Sequence, residues 1–367
     1  MVSASRVDGP ADGPVDGHRV LSRRGLLRAC ALIAVAAPLA ACTAQPAASA
    51  PDPLQPLLDA ADSDVTAATA ASKAFADSAA TFAVFATVRR QQAAALRTEV
   101  DRAAALTAPP TTSATTTPKK PPADETTVIG ELRTGLATAQ QQATRLMPSL
   151  PPYRAGLVGS IAAGCASLAE AFNSTPVTAT SAISAGPPNV APSGGAAASA
   201  APTTAHGVQP STASSPADRP LPGDTANALQ QALAAEHAAL WLYGTASAFV
   251  TGSSETEIIA GMGAVQNLRD ATEHRLAAGG VTPTPAQPAY LVPTRVTNQV
   301  SALTALAVAE SDATVAWRSV LEHTDDPGTR SVALAALTDS AVRQTRWRRL
   351  AGESPASVAL PGAAQSR

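Results

Sequence analysis

Residues 224–250 read DTANALQQALAAEHAALWLYGTASAFV. Leu229, Leu233, Leu240 and Tyr243 fall three to seven residues apart on one stripe, and Glu236 lies on the same stripe. That spacing is the one-face period of an α-helix. Asp224 stands where an N-cap belongs, and Gly252 where a helix should stop. Three stretches of the same kind follow, at 254–278, 297–323 and 327–350, punctuated by Gly279-Gly280 and by Asp325-Asp326-Pro327-Gly328. The second connection, 281–293, is the long one. Two short connections flanking one long crossover predict a four-helix bundle over residues 223–352, followed by a tail at 353–367.

Working outward from the bundle, residues 174–222 hold Ala, Pro, Ser, Thr and Gly with almost no large apolar side chains. Such a segment has too little surface to bury and reads as a disordered linker. Upstream of it, residues 57–107 contain neither Pro nor Gly. Leu54, Leu58, Val65, Phe75, Phe82, Leu96 and Val100 fall on one alternating four-and-three seam, which predicts one long helix of about 80 Å. A Pro/Thr loop at 108–122 and a second helical stretch, kinked at Pro148-Ser149-Leu150-Pro151-Pro152, complete an N-terminal long helical hairpin over residues 54–173. The long seam exceeds what one kinked return arm covers, so helical self-association or an envelope protein partner is expected there. The fold class is all-α: this hairpin, the linker, and a C-terminal bundle of ferritin-like plan.

Composition supports the helical reading. Of 367 residues, 86 are Ala and only 3% are aromatic. Alanine is the strongest helix former and contributes little burial, so helices with small cores follow. A formal charge of −2 provides no basic face for nucleic acid. No uninterrupted apolar run reaches the length of a bilayer span.

The N-terminus carries a targeting signal. Arg23-Arg24 precede an apolar stretch, 29–41, of signal-peptide length, which closes in Leu39-Ala40-Ala41-Cys42. The last four residues resemble a lipobox and the arginine pair a twin-arginine export signal. Residues 1–41 then form a signal peptide and 42–53 a tether lipidated at Cys42, which predicts a lipid-anchored protein on the extracytoplasmic face of the cell membrane. Removing 1–41 takes away five arginines and three aspartates and leaves a net charge of −4. Cys165 becomes the one cysteine of the mature chain without lipid. It reads as a small buried hydrophobe rather than a reactive thiol.

Several stretches resemble a family of exported, alanine-rich proteins of high-GC Gram-positive bacteria with a ferritin-like domain of unknown function. They are Ala235-Glu236-His237-Ala238-Ala239-Leu240-Trp241-Leu242-Tyr243-Gly244, Glu273-His274-Arg275, Pro288-Ala289-Tyr290-Leu291-Val292-Pro293, Trp347 and Leu360-Pro361-Gly362. The resemblance spans roughly residues 223–362. It implies the four-helix fold and no established activity.

A ferritin-like carboxylate cage takes one Glu from each of two helices and Glu-x-x-His from the other two. Glu236 and Glu310 lie on inward stripes, and Glu273 sits at the edge of another. There is no Glu-x-x-His, His274 points outward, and the fourth helix offers no inward carboxylate. Buried carboxylates need partners, and Arg269 and Arg348 lie on or near inner faces as structural ion-pair candidates. His237 reads as an interfacial or exposed histidine. The cluster Arg343-Gln344-Thr345-Arg346-Trp347-Arg348-Arg349 reads as a solvated last helical turn. Motifs for nucleophilic, nucleotide-dependent or thiol-redox chemistry are missing from the sequence. The expectation is a non-catalytic envelope scaffold or binding module without a cofactor. Its alternative is an iron- or manganese-binding protein or oxidase using Glu236, Glu310 and Glu273.

Overall fold

The computed structural model describes residues 51–107, 124–173, 220–292 and 295–363. Arg23, Arg24 and Cys42, and nearly all of the linker, lie outside the described residues. Within them the chain is all-α, with eight helices: α1 (Gln55–Ala74), α2 (Ala79–Thr107), α3 (Glu125–Leu146), α4 (Pro152–Asn173), α5 (Gly223–Ala246), α6 (Ser253–Ala278), α7 (Gln299–Glu322) and α8 (Pro327–Leu350). A short 3-10 turn, Met147–Ser149, precedes α4.

The four C-terminal helices start and stop within four residues of their expected bounds. Their punctuation explains this. Asn298 caps α7 in a reciprocal capping box with Ser301, and Asp326 caps α8 just ahead of Pro327. Asp224 is no cap: α5 starts one residue earlier behind Pro222, and Asp224 stands in the first turn.

The expected single helix over 54–107 is corrected. The chain leaves the helical conformation at Phe75 (φ −122°, ψ 92°) and α2 folds back against α1. Asp64 meets Arg89 at 2.9 Å and Asp62 meets Arg97 at 2.6 Å, as an antiparallel pair requires. The break needs neither Gly nor Pro because tertiary contacts hold it. Phe75 packs at a tilt against Phe82, while Phe82 and Phe85 both pack on Phe172 of α4. The N-terminal part is therefore four helices, not a two-armed hairpin: α1 lies against α2 and α3, and α4 lies against α3 and α2. The C-terminal helices repeat this scheme, with α5 against α6 and α7 and α8 against α7 and, lightly, α6.

The two sets are not separate modules. Residues 51–363 belong to one compact unit, and α4 packs against both α8 and α7. One hydrophobic core runs from Leu54 and Leu57 through Val158 and Ile161 to Trp317, Leu321 and Leu337. By length and a mean hydropathy of 1.5, α4 is able to cross a membrane, yet 78% of that window is buried inside the protein. Its apolar character is that of the central core helix, touching both sets at once.

Two further devices tie the sets together. The guanidinium of Arg330, 2% exposed, donates to the carbonyls of Thr324 (2.8 Å), Met147 (3.0 Å) and Leu150 (2.7 Å), so it clamps the turn before α4 onto the start of α8. The segment after α8, expected as a tail, is a clasp. Gln92 Nε2 donates to the Ala359 carbonyl at 2.9 Å, Ser160 Oγ to the Pro361 carbonyl at 2.7 Å, and the Val358 amide to Ser167 Oγ at 3.0 Å. The clasp comes this close because Gly164 presents no side chain: a Cβ there would overlap the Ala359 carbonyl and Gln92. Gly164→Ala should therefore cost about 1–3 kcal/mol through overpacking and raise proteolysis of the segment around Ala359. A variant as stable and as resistant as the parent chain would show that the clasp is not seated there.

Candidate functional site

The site of interest is the polar interior of α5–α8. Helix α5 supplies Glu236 and, seven residues on, Tyr243. From α6 comes Thr272, from α7 Glu310 and Trp317, and from α8 Arg343 and Trp347. All except Arg343 are buried residues with no more than 2% exposure, and the Arg343 side chain is 11% exposed.

Glu310 is fully enclosed. Arg343 grips it with both arms, Nε to Oε1 at 2.7 Å and Nη2 to Oε2 at 3.0 Å. Tyr243 Oη donates to Oε1 at 2.6 Å and in turn accepts from Trp347 Nε1 at 2.9 Å, with the two rings edge to face. Ser340 Oγ accepts from Arg343 Nη2 at 3.1 Å. A planar guanidinium matched to a carboxylate makes the strongest side-chain pairing available, and each group here satisfies the next. Burial and the neighbouring Glu310 carboxylate push the Tyr243 phenol well above its ordinary range, so it stays a donor.

Glu236 has no such partner. Its Oε1 accepts a long bond, 3.3 Å, from Thr272 Oγ1, and its Oε2 is buried without a hydrogen bond. Burial pushes its carboxyl up to about 8, against smaller opposing pulls from Thr272 and Arg269. Trp317 Nε1, also buried without a partner, lies near this carboxyl but out of hydrogen-bond geometry. Near neutral pH Glu236 is mostly the neutral acid.

The remaining predicted residues are dispersed. Arg269 turns to its neighbour Asp270 at 2.8 Å, and Arg348 to Glu353 at 2.7 Å, so neither neutralises an inward glutamate. Arg343 takes that role, and it stands in the cluster expected to be solvated. That cluster is largely engaged: Trp347 is buried, and Arg346 bridges Glu170 of α4 at 3.1 Å and Glu257 of α6 at 3.5 Å. His237 takes the interfacial of its two expected placements, buried with Nε2 3.2 Å from the Thr284 carbonyl of the crossover and 3.7 Å from Glu273 Oε1. Glu273 thus meets His237, and its charge adds to the upward push on the Glu236 carboxyl. His274 is exposed, as expected. Cys165 is fully buried, but its neighbours are polar: Arg89 Nη1 donates to Sγ at 3.3 Å, and burial pushes the thiol up.

The donor set does not suit a di-metal centre. Among the described residues no three His, Cys, Asp or Glu side chains come together to hold a metal ion. A cation at Glu310 would have to displace a guanidinium bound through both oxygens, and a cation at Glu236 would first have to remove a proton. Spacing along the sequence does not single out Arg343, which lies one helical turn before Trp347 among three other arginines.

Residues 228–365 match the family model of a domain of unknown function, DUF4439, and this part of the chain belongs to that family. The crystal structure of a conserved hypothetical protein, rv2844, from Mycobacterium tuberculosis is similar, with 35% identity over 35% of this chain and 99% of its own and a TM-score of 0.35. No curated protein matches the chain.

Proposed function

We propose that the chain is a cell-envelope lipoprotein, anchored through Cys42 on the outer face of the cytoplasmic membrane, whose ferritin-like bundle is a non-catalytic scaffold or binding module. The observation that carries the non-catalytic reading is the guanidinium of Arg343 on Glu310. It occupies the carboxylate that a metal cage would need, and it adds a positive charge where a divalent ion would sit. The lipobox Leu39-Ala40-Ala41-Cys42 and Arg23-Arg24 support the location. A diacylated cysteine provides two chains, enough for stable anchoring where one chain is marginal.

Two measurements test the reading. Cys42→Ala should move the protein from the membrane fraction to the soluble fraction; unchanged membrane fractionation removes the anchor. Elemental analysis of the full chain, expressed with added iron and manganese, should find well under one metal per chain. Near-stoichiometric metal that disappears in both Glu236→Ala and Glu310→Ala would replace this reading with the metal-binding one.

A further inference from the structure

A pocket of about 130 Å³ lies on the outer side of α5 and α7 beneath the crossover. It is separate from the Glu310 network. Its walls include Trp241 of α5, Tyr290 and Val292 of the crossover, and Ala305, Val308 and Asp312 of α7. The rings of Trp241 and Tyr290 lie 6.1 Å apart between centroids, with their planes tilted 53° to each other.

The crossover is held in place to form this wall. Gln230 of α5 donates to the Thr282 carbonyl at 2.7 Å and accepts from the Thr284 amide at 3.0 Å. His237 adds its contact to Thr284, and the Gln287 amide donates to Tyr290 Oη at 2.9 Å. Tyr290 is therefore positioned before any ligand arrives, which lowers the cost of binding.

The lining contains one charged group, Asp312, and no basic side chain. Asp312 is an exposed residue that forms no hydrogen bond or ion pair among the described residues, and partial desolvation pushes its carboxyl up. An unpaired carboxylate beside two electron-rich rings and aliphatic walls has a defined complement. The rings attract a cation over their faces, the carboxylate neutralises it, and the aliphatic walls cover its alkyl substituents. The pocket is open to solvent, with Leu291 and Val308 exposed at its rim, and its volume is well below the roughly 300–1,000 Å³ of drug-sized sites.

We propose that this pocket binds a small alkylammonium cation, with Trp241 and Tyr290 as its aromatic walls and Asp312 as its counter-ion. The inference rests on reading the bundle as a binding module, and it names the chemical class of the ligand.

The test is a titration of the full chain with choline, followed by tryptophan fluorescence and by calorimetry. Its control is 3,3-dimethyl-1-butanol, the neutral compound in which carbon replaces nitrogen. Choline should bind saturably and about tenfold more tightly than the neutral control. Asp312→Asn and Trp241→Leu should each weaken choline about tenfold, while circular dichroism and binding of the neutral compound to Asp312→Asn stay unchanged. Equal affinity for the two compounds would overturn the proposal, as would choline affinity unchanged in Asp312→Asn. No saturable choline binding, in a chain whose Cys42→Ala variant still leaves the membrane, would remove this site and leave the envelope reading in place.

Discussion

Arg343→Ala should destabilise the chain by about 3–5 kcal/mol, the cost of leaving a buried charge without its partner. The Glu310 side chain is fully buried and its two oxygens meet the guanidinium at 2.7 and 3.0 Å. After truncation only the hydrogen bond from the Tyr243 hydroxyl, at 2.6 Å, remains, and it leaves the charge uncompensated. Glu310→Ala should cost a similar amount, because it orphans Arg343 and the Tyr243 hydroxyl together. Arg343→Lys should recover part of the loss, since an ammonium restores the charge but not the two-pronged geometry. The double replacement Glu310→Leu with Arg343→Leu should be far milder than the sum of the single truncations, because no charge is then left buried. Urea unfolding at neutral pH measures all four. A loss below about 1 kcal/mol in Arg343→Ala would show that solvent reaches Glu310 and that the network is not an interior one.

The second large effect is a pH dependence that follows from Glu236. Its carboxyl sits at about 8 in the folded chain, against 4.5 when unfolded. A raised acid holds its proton more tightly in the native state. Its contribution is therefore fully present below pH 4.5 and is lost as pH rises toward 8. At about 1.4 kcal/mol per unit, the loss across that window is on the order of 3–5 kcal/mol. Glu236→Gln removes the ionisation while keeping the shape. The variant should match the parent chain near pH 4.5 and exceed it by an amount of that order at pH 8 and above. Unfolding measured at pH 5, 7 and 9 reads the divergence directly. Parallel stability curves for the two proteins would mean that Glu236 is not desolvated in the native state.

These two glutamates show where sequence reading ends. Both were placed on inward stripes by spacing alone, and both are buried. Their opposite fates depend on which residue of another helix reaches each one. Helical periodicity gives the direction of a side chain about its own axis and nothing about the rotation and offset of a neighbour. Arg269 and Arg348 satisfied the same test of direction and turned instead to acids beside them in the sequence, Asp270 and Glu353. The pocket divides in the same way. Trp241 and Tyr290 stand in two separate conspicuous motifs, yet only the crossover's return along α5 brings their rings to 6.1 Å.

Local chemistry alone determined the helical class and the bounds of α5–α8, because caps, prolines and glycines act within a few residues of where they stand. It also determined the inward direction of Glu236 and Glu310. Tertiary structure alone decided the break at Phe75, the seating of residues 357–361 on α2 and α4, and the union of both helical sets in one core. The physical reason is alanine. A segment in which half of the positions, 27 of the 54 over residues 54–107, are Ala, Ser or Thr fits a straight helix and a folded-back pair equally well. The choice then falls to the few large side chains, Phe75, Phe82, Phe85 and Phe172, whose burial against one another depends on residues about a hundred positions apart in the chain.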